Sequence, residues 1–176
     1  MSDVRVAPWQ QEGFPSPPPE LLAEMEGRRP DGELIEIDRV LLRSFPLAKG
    51  WNELLGRVRA DFSLELDYRE LIMLRVAALN GADFEWDVHY PAYLQAGGTD
   101  EKCAALKNTD DAIGDPFNEK ERALIALTDQ STERANVDGD VVEKLKNLFG
   151  ETPTVEAVAT VAAYNMVSRF LVALAI

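Results

Sequence analysis

The chain holds one imidazole, His89, and one thiol, Cys103, so any chemistry built on these groups has few places to sit. Glu85 stands four residues before His89, a spacing that puts both side chains on one helix face, one turn apart. A carboxylate there orients the imidazole, selects its tautomer and raises its pKa, which makes the pair a usable general acid/base near neutral pH. Pro91, two residues on, cannot donate to the carbonyl of Asp87, so a kink beside His89 is expected. Blander explanations exist for the same residues. Negative charge at Asp83, Glu85 and Asp87 suits the first turns of a helix, and Glu70 completes an Asp67-x-x-Glu70 capping pattern that accounts for it without chemistry.

The remaining reactive groups exclude more than they offer. One cysteine cannot form an internal disulfide, a CxxC pair or a cysteine-rich zinc site, and one histidine excludes a multi-histidine metal centre. Any metal site would have to be one histidine plus carboxylates, and none is expected. Cys103 has no second cysteine or histidine near it in sequence, so a catalytic thiol is not expected either. Arg75 and Arg169 each interrupt an apolar helical stretch, where a guanidinium must find carboxylate or carbonyl partners or else bind a substrate carboxylate. Trp86 and Tyr93 read most simply as core or interface aromatics.

These residues have to be positioned by a chain of 176 residues, 46% apolar and 28% charged, which describes one soluble globular domain of ordinary size. Eighteen Lys and Arg against 31 Asp and Glu give a net charge of −13, which repels phosphate backbones and argues against nucleic acid as a partner. The first eleven residues lack a basic start followed by an apolar run, and the expectation is a cytoplasmic protein. The apolar stretch 157–176 is long enough to span a bilayer, but Asn165, Ser168 and Arg169 interrupt it. It reads as a core or subunit-interface helix, and no membrane contact is expected.

Five prolines fall in the first nineteen residues, so residues 1–20 read as an extended arm ahead of a helical domain over 21–176. Apolar residues recur at three- and four-residue spacing with no sustained alternation, which predicts an all-α fold. Helices are predicted near 19–28, 33–44, 47–61, 67–80, 82–96, 99–108, 117–132, 138–149 and 153–174. Asn118 with Glu121 forms a capping box, Thr152 and Pro153 read as a helix start, and Gly97 and Gly150 read as stops. Asn80 and Gly81 divide two helices that should pack as a hairpin. The run 71–79 is apolar around its circumference, so it is predicted to be a central helix.

The run RELIMLRVAALNGADFEWDVHYPAYLQAGG over 69–98, together with YNMVSRF over 164–170, resembles the carboxymuconolactone decarboxylase superfamily, which includes the alkylhydroperoxidase D-like proteins. The resemblance covers about residues 30–176 and rests on Glu70, Gly81, the Phe84-Glu85-Trp86 triplet, His89 and Ala96-Gly97 as a set. It implies an all-α helical bundle that assembles into homo-trimers or hexamers. In the peroxidase branch a CxxC pair precedes the histidine, and the matching positions here are Ala82 and Glu85. Without either cysteine the thiol cycle of that branch cannot run. The resemblance therefore points to the decarboxylase branch, whose enzymes use no cofactor.

On that reading His89 is the general acid/base, Glu85 and Glu70 are orienting or relay carboxylates, and Arg169, Arg75, Trp86 and Tyr164 are the substrate-binding candidates. The expected function is a cofactor-independent lyase or isomerase acting on a small lactone or carboxylic acid. The alternatives are a non-catalytic oligomeric or small-molecule-binding protein with a degenerate site and, behind it, a peroxidase.

Overall fold

A computed structural model describes residues 4–29, 31–108 and 116–176. Among the described residues the regular structure is helical throughout: α1 (Pro19–Gly27), α2 (Glu36–Leu41), α3 (Phe45–Ala60), α4 (Leu66–Asn80), α5 (Asp83–Gln95), α6 (Asp100–Lys107), α7 (Glu119–Arg134), α8 (Gly139–Phe149) and α9 (Glu151–Leu174). Each coincides with a helix predicted from periodicity, with ends displaced by a few residues.

The chain forms two compact units, one of Met1–Arg57 with Ala173–Ile176 and the other of Val58–Val172. In the first, the proline-rich segment is not a free arm. The Trp9 amide donates to the Arg39 carbonyl and its indole N–H to Pro15, both at 2.9 Å. Asp38 of α2 is fully buried and is held by both Arg28 and Arg29, while it also accepts from the Ile35 amide and so caps its own helix. The arm expected over residues 1–20 therefore belongs to a larger unit.

The second unit is built around α4, which packs against α5, α6 and α7, with α8 against α7. Leu71, Ile72, Met73, Leu74 and Val76 have no exposed surface, and each contributes about 1.5–3 kcal/mol on burial. A helix buried on all sides carries no amphipathic stripe, as the sequence predicted. Gly81 ends α4 with φ +62°, a left-handed turn that favours glycine, and its amide and that of Ala82 bond back to Ala78 and Ala77. The chain then reverses into α5, and the expected hairpin results.

Two of the predicted starts differ. The helix at Leu66 begins before Asp67, so Asp67 lies in the first turn, there is no side-chain cap, and Glu70 is inside α4 rather than capping it. Likewise α9 starts at Glu151, which puts Thr152 and Pro153 inside the helix. By contrast the Asn118–Glu121 capping box forms as predicted, at 2.8 and 3.0 Å.

By length and composition α9 could cross a bilayer, but half of its most apolar window is buried within the protein. That buried face is tied down by polar contacts. The Asn165 side chain accepts from Asn80 of α4 at 3.0 Å and donates to Thr132 of α7 at 2.9 Å. One turn or more earlier, Glu156 accepts from the Ser63 hydroxyl and the Leu64 amide.

Candidate active site

The α4–α5 hairpin brings Glu70 and His89 face to face. Nδ1 of His89 lies 2.7 Å from Oε2 of Glu70, and on the other side Nε2 faces Oε2 of Glu85 at 3.4 Å. Only the first contact is a hydrogen bond; Nε2 of His89 and Oε2 of Glu85 are both buried without a hydrogen-bonding partner. The three side chains are 7%, 8% and 4% exposed for His89, Glu70 and Glu85. Burial pushes the imidazole pKa down, but the Glu70 hydrogen bond and the negative charges of Glu70 and Glu85 outweigh it and hold His89 above its usual 6.5. Nδ1 is committed to Glu70.

Tyr164 of α9 completes this cluster. Its ring stands nearly perpendicular to the imidazole at 5.1 Å between centroids, and it has no exposed surface. Burial, the first cause, keeps the phenol protonated; the nearby Arg59 opposes that shift, and Glu85 and Glu70 add to it. Nε of Arg59 donates to the Tyr164 hydroxyl at 2.9 Å. Arg59 sits in the last turn of α3, where Arg69 of α4 donates to the Val58 and Arg59 carbonyls and so fixes that turn. Burial works against the Arg59 charge, and Tyr164, Glu85 and Glu70 more than restore it.

Of the predicted site residues, the structure brings together His89, Glu70, Glu85 and Tyr164. The other three lie elsewhere. Arg75 spends its guanidinium on Asp129, at 2.7 and 3.1 Å, and on the carbonyls of Leu106 and Asn108. Arg169 is exposed, with one contact of 3.4 Å to the Thr132 carbonyl. Trp86 is buried under the Lys107 ammonium, 4.8 Å from its ring centre, and stacks obliquely with Tyr90. Cys103 is buried and its thiol pKa is raised, chiefly by burial and then by Asp100, the opposite of an activated thiolate. Among the described residues no group of three His, Cys, Asp or Glu side chains is arranged to hold a metal ion.

The cationic member of the cluster, Arg59, has no signal in the sequence. It lies between Arg57 and Asp61 in a stretch whose charges read as a solvated helix face, and its partner is 105 residues away.

The family model of the carboxymuconolactone decarboxylase family matches residues 46–130. No curated protein matches the chain. Among solved structures, an uncharacterized peroxidase-related protein from Silicibacter sp. TM1040 aligns with a TM-score of 0.79 at 16% identity, over 100% of this chain and 94% of that one. The debrominase Bmp8, in a cysteine-to-alanine variant bound to 2,3,4-tribromopyrrole, gives 0.75 at 19% identity over 98% and 92%. A protein of unknown function from Agrobacterium tumefaciens, described as a candidate antioxidant defence protein AhpD, gives 0.68 at 24% identity over 76% and 91%. At these identities the three structures establish a shared fold.

Proposed function

Because the chain belongs to the carboxymuconolactone decarboxylase superfamily of AhpD-like proteins, we propose that it is an acid/base catalyst that needs no cofactor, a lyase or isomerase acting on a small lactone or carboxylic acid. The observation that carries this reading is the one-sided hydrogen bonding of His89. A structural histidine would have both ring nitrogens satisfied in a buried setting. Here Nδ1 is bonded to Glu70 while Nε2, 3.4 Å from Glu85 Oε2, is buried without a hydrogen bond, and Nε2 is the nitrogen this reading assigns to a reacting molecule. Glu70 fixes the tautomer and ring plane, and Glu85 supports the positive charge from the Nε2 side. The peroxidase reading finds no comparable support, since Ala82 and Glu85 occupy the positions of its two cysteines and Cys103 is buried in α6.

The test follows loss of 4-carboxymuconolactone and release of carbon dioxide by the purified protein and its His89→Gln variant. Turnover should fall by about 10²- to 10⁴-fold, the usual contribution of a general acid/base. A folded variant that keeps the wild-type rate would sink the assignment, and no turnover in either protein would reject this lactone as substrate.

The same reading includes self-association into a homo-oligomer, with a second copy of the chain covering the outer face of α9. Val155, Val158, Ala162 and Met166 follow one another at helical spacing on that face and are exposed.

A further inference from the structure

We propose that a cleft in the N-terminal unit binds a small zwitterion with an apolar body, an amino acid or dipeptide, through Arg39 at its carboxylate and Glu26 and Glu33 at its ammonium. These residues and the walls around them belong to the unit of Met1–Arg57 and lie outside the stretch 46–130 that the family model matches. The cleft measures about 560 Å³, within the roughly 300–1,000 Å³ of ordinary small-molecule sites. Trp9, Pro17, Leu22 and Leu34 give it apolar walls, and Trp9 and Pro17 are buried. These walls are held without a ligand. The Trp9 indole N–H is spent on the Pro15 carbonyl and its amide on the Arg39 carbonyl, while Arg39 Nε donates to the Leu34 carbonyl at 3.2 Å. Arg39 thus ties two walls of the cleft to α2.

That frame uses little of what Arg39 can donate. A guanidinium carries five N–H groups in one plane, and only the one on Nε has a partner among the described residues. Half-buried Glu26 and exposed Glu33 line the same cleft, yet among the described residues neither carboxylate pairs with Arg39 or with any other cation. A guanidinium and two carboxylates that share a cleft without pairing leave both signs of charge for a ligand to meet. An anion alone would face the two carboxylates, and a cation alone would face Arg39; a molecule carrying one of each satisfies both. The two Nη groups suit a carboxylate, which accepts a pair of parallel hydrogen bonds from a guanidinium edge. Two carboxylates suit an ammonium, whose three donors call for more than one acceptor. The Trp9, proline and leucine walls take the apolar body.

The probes are L-leucine and L-leucyl-L-leucine, titrated calorimetrically into the full chain beside the N-acetyl and C-amide forms of each, which lack the ammonium and the carboxylate. At least one zwitterion should bind saturably, and loss of either charge should weaken it by about tenfold or more, as for a hydrogen bond to a charged group. The tighter of the two identifies whether the cleft takes a free amino acid or a dipeptide. The variants should then match the ends. Arg39→Met should weaken that zwitterion and leave its C-amide unchanged, while Glu26→Gln/Glu33→Gln should weaken it and leave its N-acetyl form unchanged. No saturable binding of either zwitterion, equal affinity for the blocked forms, or variants blind to the ends would overturn the proposal. Should Arg39→Met loosen the walls it ties, the blocked forms on wild-type protein and the Glu26→Gln/Glu33→Gln variant still decide, since those two side chains have no other partner among the described residues. His89→Gln should bind the zwitterion as wild type does; a loss there would place binding at the α4–α5 hairpin and overturn the cleft.

Discussion

His89 meets its two carboxylates at unequal range, 2.7 Å on Nδ1 and 3.4 Å on Nε2, and the inequality divides their work. On the proposed reading Glu70 is the fixed partner of the ring, and the Glu85 side is where a proton would leave. The raised imidazole pKa also makes a statement about stability. A group whose folded pKa exceeds its unfolded value of 6.5 contributes stability that is fully present below pH 6.5 and is lost as pH rises through the folded pKa. Urea denaturation of wild-type and His89→Gln protein should therefore show a wild-type advantage that is largest near pH 6 and shrinks on the alkaline side; an advantage that grows with pH would contradict the geometry. At this scale the sequence was half legible. The i,i+4 spacing of Glu85 and His89 reports a local neighbourhood, and it survived folding. Glu70 carried a misleading local signal, because the Asp67-x-x-Glu70 pattern mimics a cap that an earlier helix start makes unnecessary. Arg59 and Arg75 show the limit from both sides: the first carries no signal in the sequence and lies in the cluster, while the second is a candidate substrate contact by sequence and is consumed by Asp129 and two carbonyls. Partners so distant in sequence leave no trace in spacing.

The helices themselves were almost wholly legible, since a 3.6-residue period, Asn118 with Glu121, and glycines at positive φ are local devices that tertiary structure had no reason to override. What spacing could not supply was how closely elements meet. The turn after α5 is an example: the Gly98 amide donates to the Tyr93 carbonyl at 2.8 Å, and a Cβ added at Gly98 would lie 2.5 Å from the Tyr93 ring. Tyr93 is 1% exposed and has no room to retreat. Gly98→Ala should cost about 1–3 kcal/mol as overpacking, read as a lowered urea midpoint. Turnover should fall less steeply than in His89→Gln, because the strain falls on the C-terminal end of α5 and leaves the Glu70 contact in place. A midpoint equal to wild type would show that the turn yields more easily than its packing implies.

At the scale of the whole molecule, the net charge of −13 and the exposed stripe on α9 pull in opposite directions. Like charge keeps copies apart, while Val155 at 65% and Met166 at 39% exposure reward bringing them together. Self-association through this face should therefore strengthen with salt, which screens the repulsion and leaves apolar burial intact. Light scattering of Val155→Asp/Met166→Asp should give a smaller assembly than wild type at every ionic strength, and an unchanged mass would place the interface elsewhere. Net charge and the apolar character of the last helix were visible in the sequence; which face stays open was not, because it depends on how Asn165 turns the helix against α4 and α7.

That same fastening of α9 has a consequence in time. Glu70 and His89 are 19 residues apart, while Arg59 and Tyr164 are separated by 105, and closing the longer loop costs roughly 1.5 kcal/mol more entropy by logarithmic scaling. As the polypeptide leaves the ribosome, the imidazole can meet its carboxylate as soon as α5 has emerged, but the phenol arrives only with the final helix. A chain made only as far as α8 thus holds the imidazole and its carboxylate without the phenol that packs against them in the folded protein.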